Sequence, residues 1–128
     1  MDGITVIILV GVAIALFYLN KLRNSKNRIP PQKFKELLQE ESGVIIDVRS
    51  KSEYIDGHLK KTDYNFDIRS NSFKESIKKL NKNKNYFLYC RTGARSGRAT
   101  QIMKRNGFEN VYNIGGLQNL INSGFKKE

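Results

Sequence analysis

The chain opens with a run of apolar residues and continues as a mixture of apolar and charged positions. Residues 4–19 contain no charged side chain. As a helix, a stretch of this length covers about 24 Å, which approaches the roughly 30 Å hydrocarbon core of a bilayer. Because apolar residues surround the whole helix, the pattern does not fit an amphipathic surface helix. A buried core helix would be unusual at the extreme terminus of so small a domain, so we expect a membrane anchor in contact with lipid.

The residues that flank this run predict its orientation. A cleaved signal peptide has basic residues before its apolar run and a small-residue cleavage site after it, and this chain has neither. Four basic residues lie between Lys21 and Arg28, whereas none precedes the run. By the positive-inside rule we expect a single-pass membrane protein with its N-terminus outside and the following domain in the cytoplasm. Export of the domain is the alternative.

Beyond the anchor, short β-branched or aromatic runs alternate with apolar residues at helical spacing. The runs predict strands over 44–48, 86–89 and 111–114, with a short strand within 65–68. The helical patterns predict helices that begin at Pro30–Pro31, Ser72 and Ser96, and a last short helix over 117–121. This alternation predicts an α/β domain with a central parallel sheet and helices on both faces.

The change in pattern divides the chain into three parts. We expect an anchor helix over 1–20, a basic linker over 21–29 and a folded domain over 30–128. The whole chain has 128 residues and a formal net charge of +11, so it attracts anions. The aromatic residues do not interleave with the basic ones, and no nucleic-acid motif is present, so we expect no nucleic-acid partner.

The residues that carry chemistry lie in the loop after the predicted strand 86–89. The chain has one cysteine, Cys90, which excludes a disulfide within the chain. The loop continues as Arg91, Thr92, Gly93, Ala94, Arg95 and Ser96. A strand-loop-helix turn of this kind directs backbone N–H groups and the positive helix end towards its centre, which lowers the pKa of a thiol there. The pattern predicts a nucleophilic cysteine in an anion cradle, rather than an inert buried thiol.

This loop resembles the active-site loop of single-domain rhodaneses, which begins with Cys-Arg and has glycine in fourth place. The segment from Ile46-Asp47-Val48-Arg49 to Gly57-His58-Leu59 is similar to a second motif of that family. Asn113-Ile114-Gly115-Gly116-Leu117 is similar to the segment before its last helix. The three segments follow the family order, and the resemblance covers roughly residues 30–125.

The resemblance implies a rhodanese-like domain with sulfurtransferase activity. Cys90 would accept a sulfane sulfur from a small anionic donor such as thiosulfate, or from a protein persulfide, and would pass it to a thiol or cyanide. The resemblance implies no metal and no organic cofactor. It assigns binding of the donor and the persulfide to the loop, Arg91–Ser96, and structural roles near the site to Asp47, Arg49 and His58.

Two other functions fit parts of the pattern. A rhodanese fold also serves as a non-catalytic docking module, although many such modules lack the cysteine that this chain keeps. A cysteine-dependent phosphatase needs an arginine six positions after its cysteine, and that position is Ser96 here. Since Arg95 closes a shorter loop, the spacing favours a single sulfur over a tetrahedral phosphate.

Overall fold

The fold is that of a computed structural model, which describes residues 2–128, with the backbone alone for 23–26. Met1, the first residue of the predicted anchor, lies outside the described residues. Within this range the chain forms, in order, α1 (Gly3–Lys26), α2 (Pro31–Glu40), β1 (Gly43–Asp47), α3 (Lys51–Ile55), β2 (Tyr64–Asn65), α4 (Phe73–Lys78), β3 (Asn85–Cys90), α5 (Ala94–Arg105), β4 (Val111–Gly116) and α6 (Leu117–Asn122).

The four strands form one parallel sheet in the order β2-β1-β3-β4. Helices α4 and α5 pack on one face, and α2 and α6 pack on the other. The predicted fold class is therefore confirmed. Because all strands run in the same direction, their C-terminal ends meet at one edge of the sheet, where binding sites of such folds form.

Alternation along β3 places its side chains in both cores. Tyr86, Leu88 and Cys90 face α4 and α5, whereas Phe87 and Tyr89 face α2 and α6. Each of these side chains is buried. A strand that is covered on both faces needs apolar residues at every position. This is why polar and apolar residues do not alternate in the sequence of β3. Strand β3 therefore places Cys90 at the edge of the sheet where the C-terminal ends of the strands meet.

Helix α1 differs from the rest of the chain because its residues from Gly3 to Leu22 are all exposed. The stretch Gly3–Leu22 is long and apolar enough to cross a membrane. The helix continues to Lys26, into the segment that we expected as a linker. Residues 27–29 then pair with β4, since Arg28 forms a parallel bridge with Asn113.

Several element boundaries differ from the predictions. Helix α5 begins at Ala94 instead of Ser96, and the short strand within 65–68 lies at Tyr64–Asn65. Helix α3 had no predicted counterpart, although Ser50 and Glu53 form a capping box at its start. Ser72 occupies the N-cap position of α4 without a capping hydrogen bond from its side chain.

Candidate active site

The Cys90 loop, residues 90–96, joins the end of β3 to the start of α5. Gly93 has φ of +99°, a conformation that glycine adopts without steric cost, and the helix begins at the next residue. Ala94 is the first residue of α5 and is exposed. The positive end of a 12-residue helix therefore points at the loop.

The Cys90 thiol is fully buried within this loop. The backbone N–H of Gly93 donates a hydrogen bond to the sulfur at 3.0 Å, and the Ser96 hydroxyl oxygen lies 3.4 Å from the sulfur. Burial by itself raises the pKa of the thiol. Hydrogen bonds from the Ser96 side chain and from the backbone N–H groups of Ser96, Thr92 and Gly93 outweigh burial, so the pKa is lowered. The loop thus favours an anionic sulfur.

Asn113, which we did not predict as a site residue, supports the loop from β4. Its buried amide nitrogen donates to the Gly93 carbonyl at 2.9 Å. Its amide oxygen accepts from the Ser96 hydroxyl at 2.7 Å and from the Gly115 N–H at 3.0 Å. The sequence signal was a polar residue within an apolar strand, since a buried amide requires hydrogen-bond partners.

Arg95 makes an ion pair on the outer side of the loop. Its two terminal nitrogens donate to the two carboxylate oxygens of Glu53 at 2.7 and 2.9 Å. This bond from Arg95 lowers the pKa of Glu53 to about 2. The guanidinium therefore joins α5 to α3 and has its charge matched by a carboxylate, while Glu53 is a second supporting residue that we did not predict.

Arg91 has a different position, because its side chain is exposed at the start of the loop. It lines a pocket of about 500 Å³ that opens beside the loop, together with Arg49, Leu117 and Lys127. Gly116 lies so close to the Arg91 carbonyl that a Cβ at this position would overlap it. The pocket wall carries acidic groups as well, Glu53 and Asp56.

Asp47 and Arg49 form a buried ion pair at the end of β1. The guanidinium contacts both carboxylate oxygens, with a shortest distance of 2.7 Å, and it also donates to the Gly57 carbonyl at 2.7 Å. His58 stacks on the Tyr54 ring, and its Nδ1 lies 2.9 Å from the Tyr54 carbonyl oxygen. These contacts tie the strand end to the segment after α3.

The loop residues that the sequence predicted for the site therefore fall into three groups according to their position. Gly93, Ser96 and the Thr92 backbone surround the sulfur, Arg91 lies at the pocket and Arg95 binds Glu53. Among the residues that the structure describes, no three His, Cys, Asp or Glu side chains are grouped to hold a metal ion. The arrangement is that of a buried thiol whose pKa is lowered by the hydrogen-bond donors around it.

Comparison with known proteins agrees with this geometry. The rhodanese-like domain family matches residues 30–122. A relative from Pelagibacter ubique, named tRNA uridine(34) hydroxylase, is 30% identical over 112 residues, which are 86% of this chain but 37% of that protein. The chain thus spans about a third of the length of this curated relative.

Solved structures agree with the fold. A rhodanese-related protein from Thermoplasma volcanium is 26% identical, with a TM-score of 0.67 over 80% of this chain and 97% of that one. A rhodanese with anions from E. coli is also 26% identical, with a TM-score of 0.57 over 68% of this chain and 98% of that one. With the family match over most of its folded part, this chain belongs to the rhodanese-like domain family.

Proposed function

We propose that this chain is a sulfurtransferase that carries a sulfane sulfur on Cys90 as a persulfide. The observation that supports the proposal most directly is the set of backbone N–H donors around the buried sulfur. The Gly93 N–H donates at 3.0 Å, and those of Thr92 and Ser96 contribute as well. Such donors stabilise a thiolate before the reaction. In a persulfide the negative charge lies on the outer sulfur, only one bond away from Sγ. The N–H donors of the same loop are therefore close enough to stabilise it as well.

The proposed reaction has two displacement steps. The Cys90 thiolate attacks the sulfane sulfur of the donor, a new S–S bond forms, and the donor leaves with the electron pair of its broken bond. For thiosulfate the leaving group is sulfite. An acceptor thiolate or cyanide then attacks the outer sulfur and takes it, which returns the Cys90 thiolate with its electron pair. No external oxidant or reductant is required in either step.

Arg91 is the residue that we propose to attract an anionic donor. Its side chain is exposed and lines the pocket beside the loop, whereas Arg95 is already paired with Glu53. A guanidinium presents paired N–H donors to an oxyanion such as thiosulfate. A protein persulfide donor would approach through the same pocket.

The apolar helix α1 supports a membrane location for this activity. We propose that it crosses the bilayer once, with the N-terminus outside and the rhodanese-like domain in the cytoplasm, since the basic residues lie after its apolar stretch and none precedes it. Protease treatment of inverted and right-side-out vesicles tests this orientation. Digestion of the domain in inverted vesicles alone supports it, and digestion in right-side-out vesicles alone supports an exported domain.

The experiment on the proposed activity compares the full chain with Cys90→Ser, both in detergent micelles. We expect transfer of sulfur from thiosulfate to cyanide by the parent alone, and a gain of one sulfur atom in intact mass on the parent alone. Transfer with a protein persulfide but not with thiosulfate would assign a protein donor. No transfer and no adduct from either donor contradicts the proposal and favours a docking module.

The names of the curated relatives supply a competing function, modification of a tRNA uridine. The net charge of +11 is compatible with an RNA substrate. Nucleoside analysis of tRNA from cells with and without the full chain tests it. Loss of a hydroxylated uridine without the chain, restored by the parent but not by Cys90→Ser, favours this function over sulfur transfer to a small acceptor.

A further inference from the structure

Residues 27–29, which follow helix α1, are hydrogen-bonded to the backbone of Asn113, the residue whose side chain supports the Cys90 loop. The Asn113 N–H donates to the Asn27 carbonyl at 2.9 Å, and the Ile29 N–H donates to the Asn113 carbonyl at 3.0 Å. These two bonds use the free edge of β4, the last strand in the sheet order. Because the Asn113 side chain holds the loop, the backbone of residues 27–29 supports that loop indirectly.

The side chain of Arg28 contacts the loop directly. Its Nη1 donates to the Thr92 carbonyl at 3.3 Å. The guanidinium lies against two glycines, because a Cβ at Gly93 would overlap it and a Cβ at Gly115 would lie 3.0 Å from Nη2. A flat cation therefore fits the gap between the loop and the end of β4, where both neighbouring positions lack side chains.

The carbonyl that Arg28 binds belongs to the same peptide unit as the N–H that binds the sulfur. The Thr92 carbonyl and the Gly93 N–H lie in one rigid plane and point in opposite directions. A donor that holds the carbonyl on one side therefore fixes the direction of the N–H on the other side. That N–H donates to Cys90 Sγ at 3.0 Å. A cation at the carbonyl also polarises the peptide and strengthens its N–H as a donor.

We propose that Arg28 is a positioning residue for the active site, which orients the Thr92–Gly93 peptide towards the Cys90 sulfur. The segment between the membrane helix and the folded domain is then part of the support of the nucleophile, in addition to being a connection. The kinetic consequence of this inference rests on the proposed sulfurtransferase function, whereas its effect on the Cys90 thiol does not.

The test uses the full chain in detergent micelles and follows the ultraviolet absorbance of the thiolate against pH. The variants are Arg28→Ala and Arg28→Lys, with Cys90→Ser as the blank. Arg105→Ala is the matched control, since it removes an exposed arginine from the far end of α5. We expect Arg28→Ala to raise the midpoint of thiolate formation by about half to one pH unit, because the thiolate loses an aligned donor.

The other variants separate charge from orientation. Arg105→Ala should leave the midpoint of thiolate formation unchanged. Arg28→Lys should raise the midpoint less than Arg28→Ala does, because lysine keeps the charge but lacks the flat guanidinium. Thermal melting shows that each variant is folded. In sulfur transfer, Arg28→Ala should lower kcat about 10-fold, with little change in KM for thiosulfate. This is less than the roughly 100-fold loss expected when such a donor is removed outright, because the Gly93 N–H is still present.

A titration curve of Arg28→Ala that superimposes on the parent curve overturns the inference, whatever the activity. An equal shift in Arg105→Ala also overturns it, because the effect would then come from net charge alone. A shifted curve in Arg28→Ala with no sulfur transfer by the parent has a different meaning. It contradicts the proposed function and leaves the positioning role supported.

Discussion

The two arginines of the Cys90 loop show how differently the two sides of this loop are built. Arg95 makes a two-point ion pair with Glu53, and 13% of its side-chain surface is exposed. Arg91 is exposed and lines the pocket. Two residues of the same type, four positions apart, thus lie in opposite environments. One supports the loop, whereas the other is available to a ligand.

The same contrast extends to the groups around these arginines. On the supported side, Asn113 and Ser96 are buried and make hydrogen bonds to the loop. Among the described residues, no buried side-chain nitrogen or oxygen lacks a hydrogen-bond partner. On the open side, charged side chains of both signs surround a pocket. We therefore expect substitutions on the supported side to change stability and geometry, and substitutions on the open side to change binding.

The largest effect on the supported side is expected for Asn113→Ala. The substitution removes the partners of the Gly93 carbonyl, the Ser96 hydroxyl and the Gly115 N–H. Since each of these three buried polar groups costs about 1–3 kcal/mol when it is left without a partner, the free energy of unfolding should fall by at least about 3 kcal/mol. Urea unfolding measures it, with the exposed Asn119→Ala as a control that should change little.

On the open side, Arg91→Ala should change binding without changing the fold. Loss of one charge-assisted contact to thiosulfate should raise KM about 10-fold, with kcat less affected. The free energy of unfolding should stay within about 0.5 kcal/mol of the parent, as is usual for an exposed position. Steady-state kinetics and urea unfolding measure both. An unchanged KM would show that the donor does not contact Arg91.

Arg95→Ala sharpens the comparison, because it removes the same side chain from the supported side. We expect a loss of about 1–2 kcal/mol in the free energy of unfolding, since Glu53 loses its partner. The change in KM for thiosulfate should be smaller than for Arg91→Ala. If the two arginine variants raise KM equally and destabilise equally, the division of the loop into two sides is wrong.

The smallest expected effect is the pH dependence carried by Glu53. Arg95 lowers the pKa of Glu53 from 4.5 to about 2, so the carboxylate adds stability at pH values above 4.5 that is lost as the pH falls towards 2. In Glu53→Gln this contribution is absent. The variant should be less stable by about 1 kcal/mol at neutral pH, as for a well-formed surface ion pair.

Urea unfolding at several pH values between 4.5 and 2 tests this prediction. The stability of Glu53→Gln should fall less steeply than that of the parent over this range. Glu109→Gln, at an exposed position, is the control that should follow the parent curve. Parallel curves for the parent and Glu53→Gln would show that the ion pair contributes nothing in solution.

Much of the fold was predictable because it follows from local patterns. Apolar β-branched and aromatic runs predicted β1, β3 and β4, and helical spacing predicted α2, α4, α5 and α6. Helix α3 escaped prediction because a five-residue helix with no buried side chain shows no apolar period. Its signal was the capping box of Ser50 and Glu53, a local hydrogen-bond pattern rather than a hydrophobic one.

In the candidate site, too, some residues could be predicted from local sequence, whereas the roles of others depend on tertiary contacts. Cys90 and the small residue Gly93 indicated the candidate nucleophile and its loop from the sequence alone, since strand, turn and helix are contiguous there. The roles of Asn113, Glu53 and Arg28 depend on contacts between residues 20 to 64 positions apart. No local pattern carries those contacts, because they exist only after the sheet has formed.

The amino-acid sequence by itself therefore determined the apolar N-terminal helix, the α/β class and the loop that holds the thiol, all of which depend on neighbouring residues. Only the tertiary structure decided which arginine is free and which is paired. The reason is physical, because Arg91 and Arg95 have the same chemistry until α3 brings the Glu53 carboxylate within 2.7 Å of one of them. It also placed Arg28, which follows helix α1, against the loop of Cys90.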